Sequence, residues 1–400
     1  MKDMSTIFLQ YIAIALTYIG LGLGYLPLLR MNRATIALVG AAFSIALGVL
    51  DLESAWRAID YKTLVFLFGM MAIAANLAYA GFFQVALDYL MRCTRSPLGL
   101  LVVLTFGSAI LSAFFLNDTI ALILTPLTLA LTRSLNLNPI PYLLALAGAT
   151  NLGSVATLGG NPQNILIGSF SGISYLDFAK ALTPLALVSL LVQVYLLMLL
   201  YPEVRSLKPS LSRNPMRYRI FKPLLIKSLL ITCGLLVGFA IGIPLAEATL
   251  IAASLMFVTR RVKPDRILHK IDWDLLVMFS GLFIVTAAVE KFGILHWFSP
   301  FVGTPANILW VTALLSNLVS NVPAVLLLHD LIPHPDDRTW LLLAAGSTLA
   351  GNLTLLGSVA NLIVAEAVAK SGYRLSFWEH LRFGLPLTTV TLILAYSWIY

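Results

Sequence analysis

A chain of 400 residues that is 59% hydrophobic and 11% charged, with a mean hydropathy of +0.91, falls outside the soluble globular class, where charged residues make up about 25%. The formal net charge of +8 comes from basic residues gathered in loops between apolar runs, which follows the positive-inside rule and excludes nucleic-acid binding. Two cysteines, Cys93 and Cys233, stand too far apart in sequence to suggest a disulfide framework or a metal-ligand spacing.

In chain order, apolar runs fall at 6–29, 35–50, 62–86, 99–132, 141–170 and 176–201, then at 223–242, 245–259, 273–295, 305–332, 339–369 and 377–399. Runs of this length separated by short polar loops predict an all-α polytopic membrane protein in contact with the lipid bilayer. The opening MKDMSTIFLQYIAIAL enters the first run without a small-residue cleavage site, so it reads as a retained helix. Six runs followed by six suggest a duplication, with residues 1–201 as the first repeat, 202–222 as a basic linker and 223–400 as the second repeat. Ile59-Asp60-Tyr61 matches Ile271-Asp272-Trp273, Gly69 matches Gly281, and Gly81 matches Gly293. Asn117 in LNDT and Asn321 in SNVP then fall in the same run of each half. Thr157, Gly160 and Asn164 fall opposite Thr354, Gly357 and Asn361.

Charge sets the topology. The linker carries Arg205, Lys208, Arg213, Arg217, Arg219 and Lys222 against Glu203, which predicts a cytoplasmic location. Arg30 and Arg33, Arg92 and Arg95, and the Arg260–Lys270 cluster belong on the same side; the Asp51–Asp60 and Pro333–Arg338 loops belong outside. These assignments agree only if runs 99–132 and 305–332 are re-entrant hairpins. The expected architecture is therefore an inverted-topology repeat of about ten transmembrane helices plus two hairpins. Two of these helices are broken, at 141–170 and 339–369.

The breaks are the least helix-like stretches: TNLGSVATLGGNPQN at 150–164 and TLAGNLTLLGSVAN at 348–361. Backbone freed from helical pairing at membrane depth persists only where protein or a polar cavity satisfies it. Paired interruptions in corresponding halves point to a transporter's substrate site. The candidate binding residues are Asn117, Asp118 and Thr119 at the first hairpin tip and Ser320, Asn321 and Pro323 at the second. Thr157, Gly160, Asn161, Pro162 and Asn164 represent the first break, and Thr354, Gly357 and Asn361 the second. Helix N-termini favour an anion, and free carbonyls with Asn and Ser/Thr oxygens favour Na⁺, with Asn117, Asp118 and Asn321 as the candidate sodium ligands. Lys, Arg and Glu are nearly absent from these stretches.

Each residue has a plainer reading. Asn117 and Asn321 could cap the returning half-helices, and Asp118 could be an acid favoured by a helix dipole. Pro162 and Pro323, at polar breaks, could be kinks. Gly153, Gly159, Gly160, Gly351 and Gly357 could serve helix packing. Glu290, Lys291, Glu366 and the His329-Asp330 pair read as interfacial groups, and Trp273, Trp297, Trp378 and Trp398 as an aromatic belt.

TNLGS with TLGGNPQN, NDTIALILTP, SNVPAVLLL and LLGSVAN together resemble the ion-transporter superfamily. That group spans arsenite permeases, citrate transporters of the metal–citrate type, sodium/proton antiporters and sodium–dicarboxylate symporters. The nearest resemblance is to compact bacterial anion permeases of the arsenical-pump and citrate-transporter-like branch. It implies an elevator-type motion and a homodimer. Asn117 and Thr119 match a tip motif that reads Ser-Asn-Thr in the dicarboxylate branch. Asn117-Asp118-Thr119 and Ser320-Asn321-Val322 depart from it, and no Arg or Lys matches a carboxylate clamp.

The expectation is a secondary transporter in the cell's inner membrane. It would move a small anion, an organic carboxylate or an arsenite-like oxyanion, coupled to Na⁺ or H⁺ with no other cofactor. A Na⁺/H⁺ antiporter using Asp118 is the alternative. An intramembrane enzyme would need paired acids, a nucleophile dyad or metal-spaced His, and none of these runs occurs.

Overall fold

In the computed structural model the described residues are 4–24, 26, 29–92, 96–206, 220–260, 262–293, 300–332 and 336–400. Cys93, Arg95, Arg261, Trp297, Pro333 and most of the basic linker, including Lys208, Arg213, Arg217 and Arg219, lie outside them, as does the side chain of Arg92. The described residues form helices and no strand.

The first half runs through α1 (Met4–Leu23), α2 (Arg33–Ala46), short α3 (Leu52–Ala58), α4 (Tyr61–Ala80) and α5 (Phe82–Arg92). It continues as α6 (Pro97–Phe114), α7 (Asn117–Ser134), α8 (Ile140–Ser154), α9 (Pro162–Ser171) and α10 (Tyr175–Leu200). The second half repeats the order: α11 (Lys222–Ala240), α12 (Leu245–Phe257), short α13 (Pro264–Leu268) and α14 (Trp273–Lys291). Then come α15 (Pro305–Val319), α16 (Asn321–His329), α17 (Asp337–Ala350), α18 (Val359–Lys370) and α19 (Phe377–Ile399). Among the described residues, six helices are long and apolar enough to cross a membrane. α6–α7 and α15–α16 are hairpins; α8–α9 and α17–α18 are helices interrupted at 155–161 and 351–358.

The residues that matched between halves each have a mechanical role. Asp60 caps α4 by accepting from the Lys62 N–H at 3.1 Å, and Asp272 caps α14 by accepting from the Leu275 N–H at 3.0 Å. Gly81 ends α4 at φ +88°, and Gly293 follows α14 at φ +66°, a conformation that favours glycine. Gly69 and Gly281 mark where the halves cross. α4 packs on α12 and α14 packs on α2, so a Cβ at Gly281 would lie 2.6 Å from the Ala37 carbonyl carbon, and one at Gly69 would lie 3.1 Å from the Thr249 oxygen.

Hydrogen bonds tie the loops into two faces. On the linker face, the Leu98 N–H donates to Ser206 O at 3.2 Å and the Phe221 N–H to Ala80 O at 3.1 Å. There Asn138 Nδ2 also donates to Glu203 Oε1 at 3.2 Å, and Arg133 donates to the Ser371 carbonyl. On the opposite face, Gln10 Nε2 donates to Leu47 O at 2.7 Å, and the His329 ring stacks on Phe170 at 4.4 Å. The α6–α7 hairpin thus opens on the linker face and α15–α16 on the other.

Burial divides the interior in two. One core draws chiefly on α6, α8, α10, α15, α17 and α19, the other on α1, α2, α4, α11, α12 and α14. The tips and breaks lie where the two bodies meet, with Gly159 against Phe66 of α4.

Candidate functional site

Both breaks are held open by the same device. Asn164 Nδ2 donates to Ser154 O and to Thr157 O, each at 3.0 Å. Asn361 Nδ2 donates to Gly351 O at 2.8 Å and Thr354 O at 3.1 Å. One amide thereby donates to two carbonyls of its break, adding to the Gly160 N–H that Thr157 O accepts at 3.4 Å and the Gly357 N–H that Thr354 O accepts at 3.0 Å, as backbone at membrane depth requires. The threonine hydroxyls fasten each break to its hairpin. Thr157 Oγ1 donates to the Ala113 carbonyl and Thr354 Oγ1 to Asn317 Oδ1 at 3.1 Å, each acceptor lying four residues before its tip asparagine.

Gly160 and Gly357 sit inside these turns: a Cβ on Gly160 would lie 2.6 Å from Ser154 Cα, and one on Gly357 would lie 2.8 Å from Asn317 Oδ1. Their role is tight backbone approach. Gly153 packs on the Ala109 backbone.

The breaks also join one another. Asn151 Nδ2 donates to Asn352 Oδ1 at 2.8 Å, while Asn151 Oδ1 accepts from Ser358 Oγ at 3.0 Å and from Asn117 Nδ2 at 3.1 Å. Thr348 Oγ1 accepts from Asn161 Nδ2 at 3.1 Å and donates to Asn164 Oδ1 at 3.3 Å. Tip one closes on break one through the Asn117 N–H and Gly160 O, 2.9 Å apart. Tip two lies over break two, with Asn321 Nδ2 3.5 Å from where a Gly351 Cβ would be.

The capping role for Asn117 and Asn321 does not hold. The N-cap positions are Leu116 and Ser320, neither makes a side-chain cap bond, and both asparagines are first helical residues. The side chains that cap the half-helices after the breaks are Asn161, accepting from the Asn164 N–H at 2.8 Å, and Ser358, accepting from the Ala360 N–H at 3.2 Å. Pro162 and Pro323 both lie in a helix's first turn, where a missing N–H costs nothing. They are not equivalents: Pro162 opens the half-helix after a break and Pro323 the returning arm of a hairpin. Ser320 adopts φ +82°, a strained conformation for a residue with a side chain.

Oδ1 of Asn117 and Oδ1 of Asn321, one on each tip, are buried and accept no hydrogen bond; Ser316 Oγ and His380 Nδ1 nearby are likewise without a partner among the described residues. Asn117 Nδ2 is the atom that faces Asn151 Oδ1, which also accepts from Ser358 Oγ, and this leaves Asn117 Oδ1 bare.

Asp118 and Thr119 line a cavity of about 440 Å³ beside the tip, with Leu116, Pro162, Val359, Met71, Lys270 and Asp272. No hydrogen bond between described residues joins Asp118 to Asn117 or Asn321. The equivalent of Asp118 in the other half is Val322, which is buried. A second cavity of about 440 Å³ opens between Lys62, Phe66, Leu158, Tyr175, Phe239 and Glu247.

Sequence reasoning missed Asn151, Thr348, Asn352, Ser358, Asn317 and His380. Five of these lay inside or beside the polar stretches. His380 is a lone histidine in an apolar run, buried under break two with Nε2 3.2 Å from Asn352 O, and no sequence signal marked it. Arg33, read as a loop charge, opens α2 and contributes to the field at Asp118.

The family model of citrate transporters matches residues 12–344. The rice silicon efflux transporter LSI3 is 32% identical over 443 residues, covering 91% of each chain. An uncharacterized transporter of Mycobacterium tuberculosis is 30% identical over 92% of this chain and 94% of its own. The Dictyostelium discoideum protein arsB is 25% identical over 92% of this chain and 87% of its own. Among solved structures, the Alcanivorax borkumensis YdaH transporter shares the fold at a TM-score of 0.58 and 14% identity, covering 98% of this chain and 97% of that one. A helical membrane protein with paired hairpins and broken helices, matched along most of its length, is a membrane transporter of anions or similar substrates and not an enzyme. The chain belongs to the citrate transporter family.

Proposed function

We propose that the protein is a secondary active transporter for a small hydroxyl-bearing oxyacid of the arsenite or silicate kind, coupled to a Na⁺ or H⁺ gradient by alternating access. The observation that carries this reading is the pair of buried acceptors, Asn117 Oδ1 and Asn321 Oδ1, one on each tip. A buried acceptor left unpaired costs about 1–3 kcal/mol, and a ligand that supplies O–H donors recovers that cost. Undissociated arsenous or silicic acid carries several hydroxyls around one centre. A fully ionised carboxylate such as succinate brings only acceptors and would need cations. No Lys or Arg belongs to the hydrogen-bonded centre formed by Asn117, Asn151, Asn161, Asn164, Thr348, Asn352 and Ser358.

The names of the rice silicon efflux transporter and of arsB are consistent with this class. The linker face is taken as cytoplasmic, because Arg30, Arg33 and the Arg260–Lys270 segment gather there, and the membrane as the cell's inner membrane. Two buried bodies meeting at the tips and breaks suit a motion of one past the other.

The test is thermal stabilisation of purified protein by arsenite, silicic acid, citrate, succinate and sulfate, with and without Na⁺. A ligand selective for the folded state raises its stability. Stabilisation by arsenite or silicic acid, lost in Asn117→Ala and Asn321→Ala, is the expected result. Stabilisation by citrate or succinate alone would overturn the reading.

A further inference from the structure

Lys227 stands in the second turn of α11, close to the linker face, and its ammonium reaches across to the end of α12. Nζ donates to Val258 O at 2.6 Å and to Met256 O at 3.3 Å. Val258 is the C-cap of α12, so the lysine serves carbonyls that a helix end leaves without partners. The first half meets the same need without a charge. There Gln10 Nε2, in the first helix of its repeat, donates at 2.7 Å to the carbonyl of Leu47, the C-cap of α2. Gln10 is buried, and its cap lies on the face opposite the linker. An amide therefore suffices for the cap, and the positive charge in the second half is surplus to it.

The same lysine heads a groove. Pro223, Ile226, Leu230, Leu255 and Val258 line, with Lys227, a space of about 460 Å³ between α11 and α12. Ile226, Leu230, Leu255 and Val258 are all exposed. From Pro223 to Ile231 the groove follows the helix for about 12 Å, long enough to seat part of an acyl chain.

Charge at its linker-face end is of one sign. Lys222 begins α11, and Arg260 and Lys263 follow Val258 in the chain, all three exposed. Between Phe221 and Val262 the one acid is Glu247, in the first turn of α12 at the far end of that helix. Carbonyls take two of the three ammonium donors of Lys227 and leave the third for a ligand. An occupant must then be apolar beside Leu230 and Leu255 and anionic beside Lys227. A phospholipid of the linker-side leaflet with a net negative headgroup has both parts in that order.

We propose that the α11–α12 groove is a binding site for an anionic phospholipid, with an acyl chain between Ile226, Leu230 and Leu255 and the phosphate held by Lys227. The inference goes beyond the transport reading and holds whatever the substrate is. The positive-inside rule explains basic residues on this face. It does not explain a lysine at the head of a groove where the matching cap is a glutamine.

The experiment is native mass spectrometry of the full chain with equal amounts of a phosphatidylglycerol and a phosphatidylcholine of the same acyl chains. One basic side chain beside an anionic lipid is worth about fivefold in affinity, and wild-type protein should retain phosphatidylglycerol over phosphatidylcholine by that factor. Lys227→Gln, which keeps an amide for the α12 cap as Gln10 does for α2, should bring the two lipids level. Ile226→Trp, which fills the groove, should lower retention of both. Arg30→Gln, in the α1–α2 connection on the same face, should leave the preference intact. Glycerol phosphate, a headgroup without chains, should not compete. Equal retention by wild-type protein, a preference that survives Lys227→Gln or is lost in Arg30→Gln, or competition by glycerol phosphate would overturn the proposal. So would a dimer that Ile226→Trp converts to a monomer, because the occupant would then be a second copy of this chain.

Discussion

Asn164 and Asn361 do identical work in the two halves, each donating to two carbonyls of its break, whereas Asn321 makes no such bond and leaves its oxygen bare. Truncating the first kind should therefore cost stability, and truncating the second should cost function. Asn164→Ala and Asn361→Ala each remove two hydrogen bonds to carbonyls of a break, an expected loss of about 1–3 kcal/mol, seen as a lowered Tm in detergent. Asn321→Ala removes an unpaired acceptor; its Tm should stay level or rise while transport falls at least about tenfold. A lowered Tm for Asn321→Ala would mean that its oxygen is satisfied in the folded protein. Ser320 offers a companion test. Its φ of +82° costs of the order of 1–3 kcal/mol in a residue with a side chain, so Ser320→Gly should raise Tm. An unchanged Tm would show that tip two stores no such strain.

At the scale of elements, the repeat was legible because its punctuation is chemical. The Ile-Asp-aromatic starts are caps, Gly81 and Gly293 adopt left-handed conformations, and Gly69 and Gly281 are the contact points between halves. The hairpins were legible from charge, since Arg133 and the α6 start had to share the linker face. The cross-half network was not. Asn151 and Asn352 are 201 positions apart and pair only once both helices have broken, and nothing in either stretch specifies the other's register. The same limit explains why capping stood open as the plainer reading of Asn117 and Asn321: sequence shows an asparagine at a helix start but does not fix which of two adjacent residues keeps extended backbone. The crossing points also yield a prediction. Gly281→Ala would press a methyl against the Ala37 backbone, which cannot yield, and should destabilise by about 1–3 kcal/mol. Gly69→Ala meets the Thr249 side chain first, so Thr249→Ala should partly rescue it. No single-residue change on α2 should rescue Gly281→Ala, and thermal unfolding of the four variants decides the matter.

For the whole molecule, the two cores with a cavity on each face suit the alternating access proposed above. Cysteines introduced at Ala75, in the linker-face cavity, and at Ser169, in the opposite one, should be labelled by a membrane-impermeant thiol reagent each from its own side only. Labelling of either from both sides would describe a channel. The central claim, that hydroxyl-bearing oxyacids bind where the two tips meet the two breaks, is tested most directly by counterflow in proteoliposomes of the purified protein. Vesicles loaded with unlabelled arsenite or silicic acid should take up tracer of the same compound, with uptake abolished by Asn117→Ala and Asn321→Ala and unaffected by excess succinate. Counterflow of citrate or succinate in vesicles that fail to exchange arsenite and silicic acid would contradict the account.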